Sequence, residues 1–262
     1  MIKKIKTTIA EKTVWNMTKI LRSENMVAIT TLSSAVNIDK IRKQIQSQGK
    51  PPPSYTAIVL KAAALVMKRH PEANRAILGP PFFKKLYQFE NIDISVAVEK
   101  SLPAMPGQPY AATIQNPLEK SLQVISDDLK KLINCTEETD KKFRLYMFIL
   151  KRIPSPLSIF LINIPYIFPS LWSKFRGCAA WVNAPSKAGA DLVLTCWPWP
   201  ITFSFGFVKK RPFVQDDQVE AIMTIPLVMS FDRRIMGGGP ASRIFATFVE
   251  IIESGDAELL NE

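Results

Sequence analysis

The stretch LVMSFDRRIMGGGPASRIF, Leu227 to Phe245, contains the break around which the rest of the chain is ordered. An apolar run of strand formers stops at Asp232, two arginines follow, and Gly237, Gly238 and Gly239 lead into a helical spacing. A glycine turn between strand and helix is one way to hold a phosphate, because the first N–H groups of a helix lack partners of their own. Here no lysine followed by Ser or Thr closes the glycines, and G-x-G-x-x-G spacing is missing, so neither common nucleotide loop fits. A structural turn is the preferred reading, with an anion site at the helix start as the alternative.

Upstream, strand and helix patterns alternate. Residues 8–23 read as a first helix, MVAITTLSSAVNI (26–38) as a strand, and NIDKIRKQIQSQ as a helix ended by the Gly49–Pro53 cluster. SYTAIVLKAAALVMKRH (54–70) has the strongest helical composition, with Ser54 or Thr56 to cap it and Pro71 to stop it. Within FFKKLYQFENIDISVAVEK (82–100), Ile92, Ile94, Val96 and Val98 alternate with Asp93, Ser95 and Ala97, the period of a strand. FFKKLYQF itself reads as an edge strand with solvated lysines. KSLQVISDDLKKLIN (120–134) is an amphipathic helix, apolar at Leu122, Ile125, Leu129 and Leu132. Strands are expected at 190–196, 201–208 and 221–231, and a helix at 240–253. CWPWPITF (196–203) reads as a core aromatic turn. With no internal repeat or long linker, the prediction is one α+β domain over residues 1–262.

One stretch departs from that pattern. IPSPLSIFLINIPYIFPSLW (153–172) carries no charge and is flanked by the basic KKFRLYMFILKR and SKFR. Its length suits a membrane span, but Pro154, Pro156, Pro165 and Pro169 each remove a backbone donor. Short helices packed on the domain are favoured, then a peripheral membrane contact through an insertion at about 143–176, then a true span.

The net charge of +11 favours anionic partners such as coenzyme A, other phosphates or acidic lipid. Nucleic acid is not expected, since neither zinc-finger spacing nor a basic, aromatic-interleaved sheet pattern is present. Cys135, Cys178 and Cys196 have no CxxC spacing and read as buried thiols of a reducing compartment. An N-terminus without a signal-peptide core makes the expected location cytoplasmic, with membrane association through 143–176 as an addition. His70 is the sole histidine, so a multi-histidine metal site is excluded and no metal is predicted.

Taken in order, these segments resemble the catalytic domain of the dihydrolipoamide acyltransferases of 2-oxoacid dehydrogenase complexes, within the chloramphenicol acetyltransferase-like superfamily. SYTAIVLKAAALVMKRHPEANRAI is similar to the family's helix ending in R-x-P-E-x-N, and NIDISVAVE to its N-I-x-x-A-V-A strand. NPLEKSLQVISDDLKKL is similar to the helix that follows, and FVKKRPFVQDDQVEAIMTIPLVMSFDRRIMGGGPASRIFATFVEII to the closing strand, catalytic turn and last helix. The resemblance covers nearly the whole chain and is weakest over 143–200. It implies a two-layer sandwich of mixed sheet and helices, a homotrimer or a trimer-built oligomer, and coenzyme A or acyl-CoA as a non-covalent ligand. No lipoyl or peripheral-subunit-binding segment is expected.

In the family, a histidine in D-H-R-x-x-D-G takes the thiol proton, and a serine in G-T-F-T-I-S-N donates to the oxyanion. The two groups come from neighbouring subunits. Carried onto this chain, Asp232 and Arg234 match the turn, Arg233 stands at the histidine, Gly237 at the acidic residue and Gly238 at the glycine. GCAAWVN (177–183) places Ala180 at the threonine, Val182 at the serine and Asn183 at the asparagine. A guanidinium is no base near neutral pH and valine donates no hydrogen bond. A non-catalytic scaffold or binding protein is therefore expected, which a catalytic homologue in the same assembly would complement. A coenzyme A-dependent acyltransferase using other groups is the alternative. His70 remains a second-choice base, against a helix-end residue held by local hydrogen bonds.

Overall fold

A computed structural model describes residues 26–80, 82–102, 105–184, 189–195, 199–215 and 217–260. The helix expected at 8–23 lies outside these residues, as does Cys196.

Among the described residues the chain forms an α+β structure of nine strands and seven α-helices. In order they are β1 (Met26–Ser34), α1 (Val36–Ser47), α2 (Tyr55–Arg69), β2 (Arg75–Leu78), β3 (Lys85–Gln88), β4 (Ile94–Leu102) and β5 (Met105–Ile114). Next come α3 (Leu122–Asn134), α4 (Lys141–Arg152), α5 (Ser155–Asn163), α6 (Pro169–Arg176), β6 (Ala180–Asn183), β7 (Ile201–Phe205), β8 (Lys209–Gln215), β9 (Gln218–Asp232) and α7 (Gly238–Ser254). The main sheet runs β1-β9-β7-β6-β4-β5, with β8 also paired to β9, while β2 and β3 form a separate hairpin pair. It is mixed: β6 lies parallel to β4 and β7, whereas β1, β7 and β8 pair antiparallel with β9.

Helix α2 is the central pillar. Every residue from Ala57 to Met67 is buried, and the Ser54 hydroxyl caps the helix by accepting from the Ala57 N–H at 3.1 Å. Lys61 is carried into this interior and is tolerated because its Nζ donates to the carbonyls of Leu118 and Lys120 at 2.7 and 2.8 Å. Helices α1, α2, α3 and α7 share one core with the sheet residues Val96, Val182, Phe203, Leu227 and Met229. Trp181 alternates with Val182 along β6 and joins a second cluster with Trp172, Trp199, Ala76 and Leu78. The aromatic turn read at CWPWPITF thus appears as Trp199, buried and 4.3 Å from the Trp181 ring.

Several boundaries differ from the sequence reading. The strand expected over 26–38 stops at Ser34, because Ile38 and Ile41 fall at helical spacing and pack into the core as part of α1. The strand expected at 190–196 does not form over its described part: residues 191–195 are bends and coil with Leu192 and Leu194 half exposed. Asp191 is held there from outside by Lys209 and Arg211. Strand β5 was hidden by Pro106, Gly107 and Pro109, which an edge strand accommodates because one of its sides needs no ladder bonds. Cys135 is only half-buried, not core, whereas Cys178 is buried.

The uncharged stretch resolves into short pieces. Helix α4 is capped by Asp140, whose carboxylate accepts from the Phe143 N–H at 2.6 Å, and it ends before Pro154. Residues Ser155–Tyr166 and Pro169–Arg176 meet at 101°. Pro165 and Pro169 supply the break, since neither can donate a backbone hydrogen bond. No single described helix is long and apolar enough to cross a membrane.

Candidate active site

The turn after β9 begins where the ladder runs out. The Asp232 N–H donates to the Pro200 carbonyl at 2.9 Å, and the Ile235 N–H turns back onto the Asp232 carbonyl at 3.0 Å. Asp232 is buried, and its Oδ1 accepts from both the Arg234 N–H and the Arg234 Nε at 2.9 Å, while Nη2 of Arg234 reaches Oδ2. This hydrogen-bonded pair raises the Arg234 guanidinium above its ordinary range. Arg233 points out of the same turn, exposed, and has no ion pair among the described residues. The position that the resemblance assigns to a proton acceptor therefore holds a solvated cation.

The three glycines do not meet a steric demand. Gly237 caps α7 with φ −79, and Gly238 and Gly239 lie in its first turn. A Cβ at Gly237 or Gly238 would meet no atom within 4 Å. The nearest atom to a Cβ at Gly239 is Nη1 of Arg243, at 3.8 Å.

Glycine is required at Gly177 instead. Its φ is +67, and a Cβ there would lie 2.1 Å from the Asp93 carbonyl oxygen. That close approach lets the Cys178 N–H donate to Asp93 O at 2.6 Å and starts β6. Asn74 locks the same point, accepting from the Ala179 N–H at 3.1 Å and donating to the carbonyls of Phe89 and Asn91. From here Cys178, Ala180 and Val182 all enter the main core, and burial drives the Cys178 thiol up to about 12. Val182 is fully buried, so the position that the resemblance assigns to the oxyanion donor holds an aliphatic side chain packed in the core. Asn183 follows, half-buried, with its Nδ2 donating to the Thr195 hydroxyl at 2.8 Å.

Register fixes the separation of the two halves. Val182 pairs with Phe203, which pairs with Met229, three residues before Asp232. Two strand spacings across and three residues along give roughly 14 Å between Val182 and the turn. One protomer does not bring them together. His70 is elsewhere: Nε2 lies 2.8 Å from the Thr247 hydroxyl and Nδ1 3.3 Å from Glu72. Thr247 is nine residues along α7 from Gly238, about 14 Å of helix. Among the described residues no three His, Cys, Asp or Glu side chains form a metal-holding group.

A mixed sheet with this strand order, helices packed on it and a strand–turn–helix close defines a protein of the chloramphenicol acetyltransferase-like fold. Three solved structures share it. A probable dihydrolipoamide acetyltransferase from Listeria monocytogenes superposes with a TM-score of 0.68 at 18% identity, covering 98% of this chain and 97% of the other. The cubic core of the pyruvate dehydrogenase multienzyme complex gives 0.70 at 16%, covering 99% and 95%. A chloramphenicol acetyltransferase gives 0.50 at 11%, covering 88% and 87%. No curated protein sequence matches this chain. Residues 2–143 match the family of 2-oxoacid dehydrogenases acyltransferase (catalytic domain), and the chain belongs to that family.

The matched residues end before β6 and the turn at Asp232. Sequence reasoning missed Asn74 as the anchor of β6, although it is the asparagine of the P-E-x-N signature. It also missed Arg176, the second cation of the basic SKFR segment and the buried one, just before Gly177.

Proposed function

We propose that this protein is a member of the acyltransferase family that does not catalyse acyl transfer and serves as an oligomeric scaffold or binding protein. A single pairing carries this reading: Arg233 stands exposed at the proton-acceptor position, while Val182 fills the oxyanion position with a buried isopropyl group. Loss of the base costs about 10²–10⁴ in rate, and loss of one oxyanion donor about 10²–10³. His70 is engaged by Thr247 and Glu72 and gives no support to a substitute base. The assembly is a homotrimer or is built from trimers, with room for a catalytic homologue. The roughly 14 Å between Val182 and the turn supports this, because such halves meet only across subunits. So does the construction of one structural relative as a multienzyme core.

The elements α4–α6 extend the scaffold role to a peripheral contact with anionic membranes. Leu145, Phe148, Leu157, Phe160 and Phe168 are exposed, and Lys141, Lys142, Arg144, Lys151 and Arg152 lie on the same helix as Leu145 and Phe148. Apolar insertion and attraction to acidic headgroups reinforce each other in such an arrangement. Flotation on phosphatidylglycerol vesicles that disappears in Leu145→Asp/Phe148→Asp is the expected result; flotation unchanged by that variant refutes the contact.

The decisive experiment follows thiol release from acetyl-CoA and longer acyl-CoA esters with dihydrolipoamide, run beside native mass spectrometry. A trimer or trimer multiple without turnover is expected. Saturable turnover overturns the non-catalytic reading. A second reading, a coenzyme A-dependent acyltransferase with other groups, is favoured by the unpaired Arg233 beside the open glycine turn, where a phosphate or developing oxyanion has room. It requires turnover that Arg233→Ala removes.

A further inference from the structure

A cavity of about 440 Å³ lies between α4, α5, α6 and the edge strand β5, within the stretch where the family resemblance is weakest. Its wall is formed by Ile149, Leu161, Ile164, Leu171 and Phe175, with Leu145 and Phe148 exposed at its rim. Its volume falls within the roughly 300–1,000 Å³ of small-molecule sites. The wall contains two cations, Lys142 and Arg176, and no Asp or Glu.

Arg176 is the informative residue. It is 6% exposed, and one of its N–H donors, on Nη2, reaches the Ile162 carbonyl at 3.0 Å. The guanidinium otherwise lies over the rings of Tyr166, Trp172 and Trp199, at 5.2, 5.9 and 5.1 Å from their centroids. No acidic side chain among the described residues pairs with it. A buried guanidinium has five donors in a fixed fork that suits a carboxylate, and leaving a buried charge without an anion is costly. Arg176 therefore stands at the boundary between this aromatic cluster and the apolar pocket it helps to line, with the Ile162 carbonyl, also of the pocket wall, as the acceptor of its Nη2.

We infer that this cavity binds a single-chain fatty carboxylate, the headgroup against Arg176 and the alkyl tail among Ile149, Leu161, Ile164 and Phe175. The site is separate from the turn at Arg233 and stands whether or not that turn supports acyl transfer. An alkyl alcohol or amine of equal length satisfies the apolar wall but not the guanidinium.

Isothermal titration of the full chain with octanoate, decanoate and dodecanoate, below their micelle concentrations, tests the inference. One saturable site is expected, with affinity rising about fourfold per methylene until the cavity is full. Methyl dodecanoate and dodecylamine should bind at least tenfold more weakly than dodecanoate. Leu161→Trp, which fills the cavity, should abolish binding while leaving the circular dichroism spectrum unchanged. Arg176→Gln should reduce acid binding to the level of the ester. The wild-type comparison of acid with ester holds even where a variant fails to fold. Equal affinity for the two, absence of saturable binding, or binding that survives in folded Leu161→Trp overturns the assignment.

Discussion

Arg234 grips Asp232 in a fork: Nε lies 2.9 Å from Oδ1 and Nη2 lies 2.5 Å from Oδ2, across two positions of the turn that ends β9. The pair folds the arginine that the turn retains back onto its aspartate, and Arg233 is left as the outward cation. Asp232 also accepts the Arg234 N–H, so one carboxylate shapes both the backbone and the side chain. Asp232→Asn keeps the size and removes the charge. With Arg234 about half exposed, solvent screening limits the loss, and the substitution should cost about 1–2 kcal/mol, read as a shift of the urea midpoint.

Rebuilding the family's groups separates stability from chemistry. Arg233→His sits in solvent and should change stability by less than about 0.5 kcal/mol. Val182→Ser places a hydroxyl in an apolar core and removes packed methyl groups, so it should cost about 1–3 kcal/mol. The triple variant Val182→Ser/Arg233→His/Gly237→Asp, assayed with acetyl-CoA and dihydrolipoamide, should gain measurable transfer if the proposed assembly brings the two halves together.

His70 ties the end of α2 to the middle of α7 through Thr247. A double-mutant cycle with His70→Ala and Thr247→Val should return a coupling of about 0.5–1.5 kcal/mol in denaturant unfolding. A coupling near zero would show that the contact contributes nothing. His70→Ala should leave acyl-CoA handling as it is in the wild type.

Acid should loosen the contact between α2 and the C-terminal segment. Hydrogen bonds from Lys68 and Arg69 hold the Glu258 carboxyl well below its ordinary value of 4.5, at about 2. A carboxylate depressed in the folded state stabilises the fold above pH 4.5, and that contribution disappears as pH falls towards about 2. Glu258→Gln should flatten stability against pH in that window and leave the curve above it parallel to wild type. An unchanged acid limb would refute the pairing.

Most of the element types were legible because their periods are strong. Helix α2 carries a capping serine, an Ala/Leu/Met-rich body and a stopping proline, and the alternation Ile94–Val96–Val98 marks β4. The strand β5 was not legible, since Pro106, Gly107 and Pro109 look like loop residues until the strand is known to lie at an edge. Leu192 and Leu194 erred the other way. Their alternation suits a strand, but ion pairs from Lys209 and Arg211 to Asp191 hold the segment in a loop.

By itself the sequence determined which side chains stand at the positions that the family resemblance assigns to the reaction, because residue identity decides whether a group can take a proton or donate to an oxyanion. Arg233 and Val182 do neither, whatever their surroundings. Only the tertiary structure decided where those side chains point, that Val182 is a core plug and Arg233 a solvated cation, and that the two lie two strands apart. It also placed Arg176, in the basic segment after the uncharged run, against three aromatic rings and beside an apolar cavity. Burial and pairing depend on residues brought from distant parts of the chain, and no local pattern encodes them.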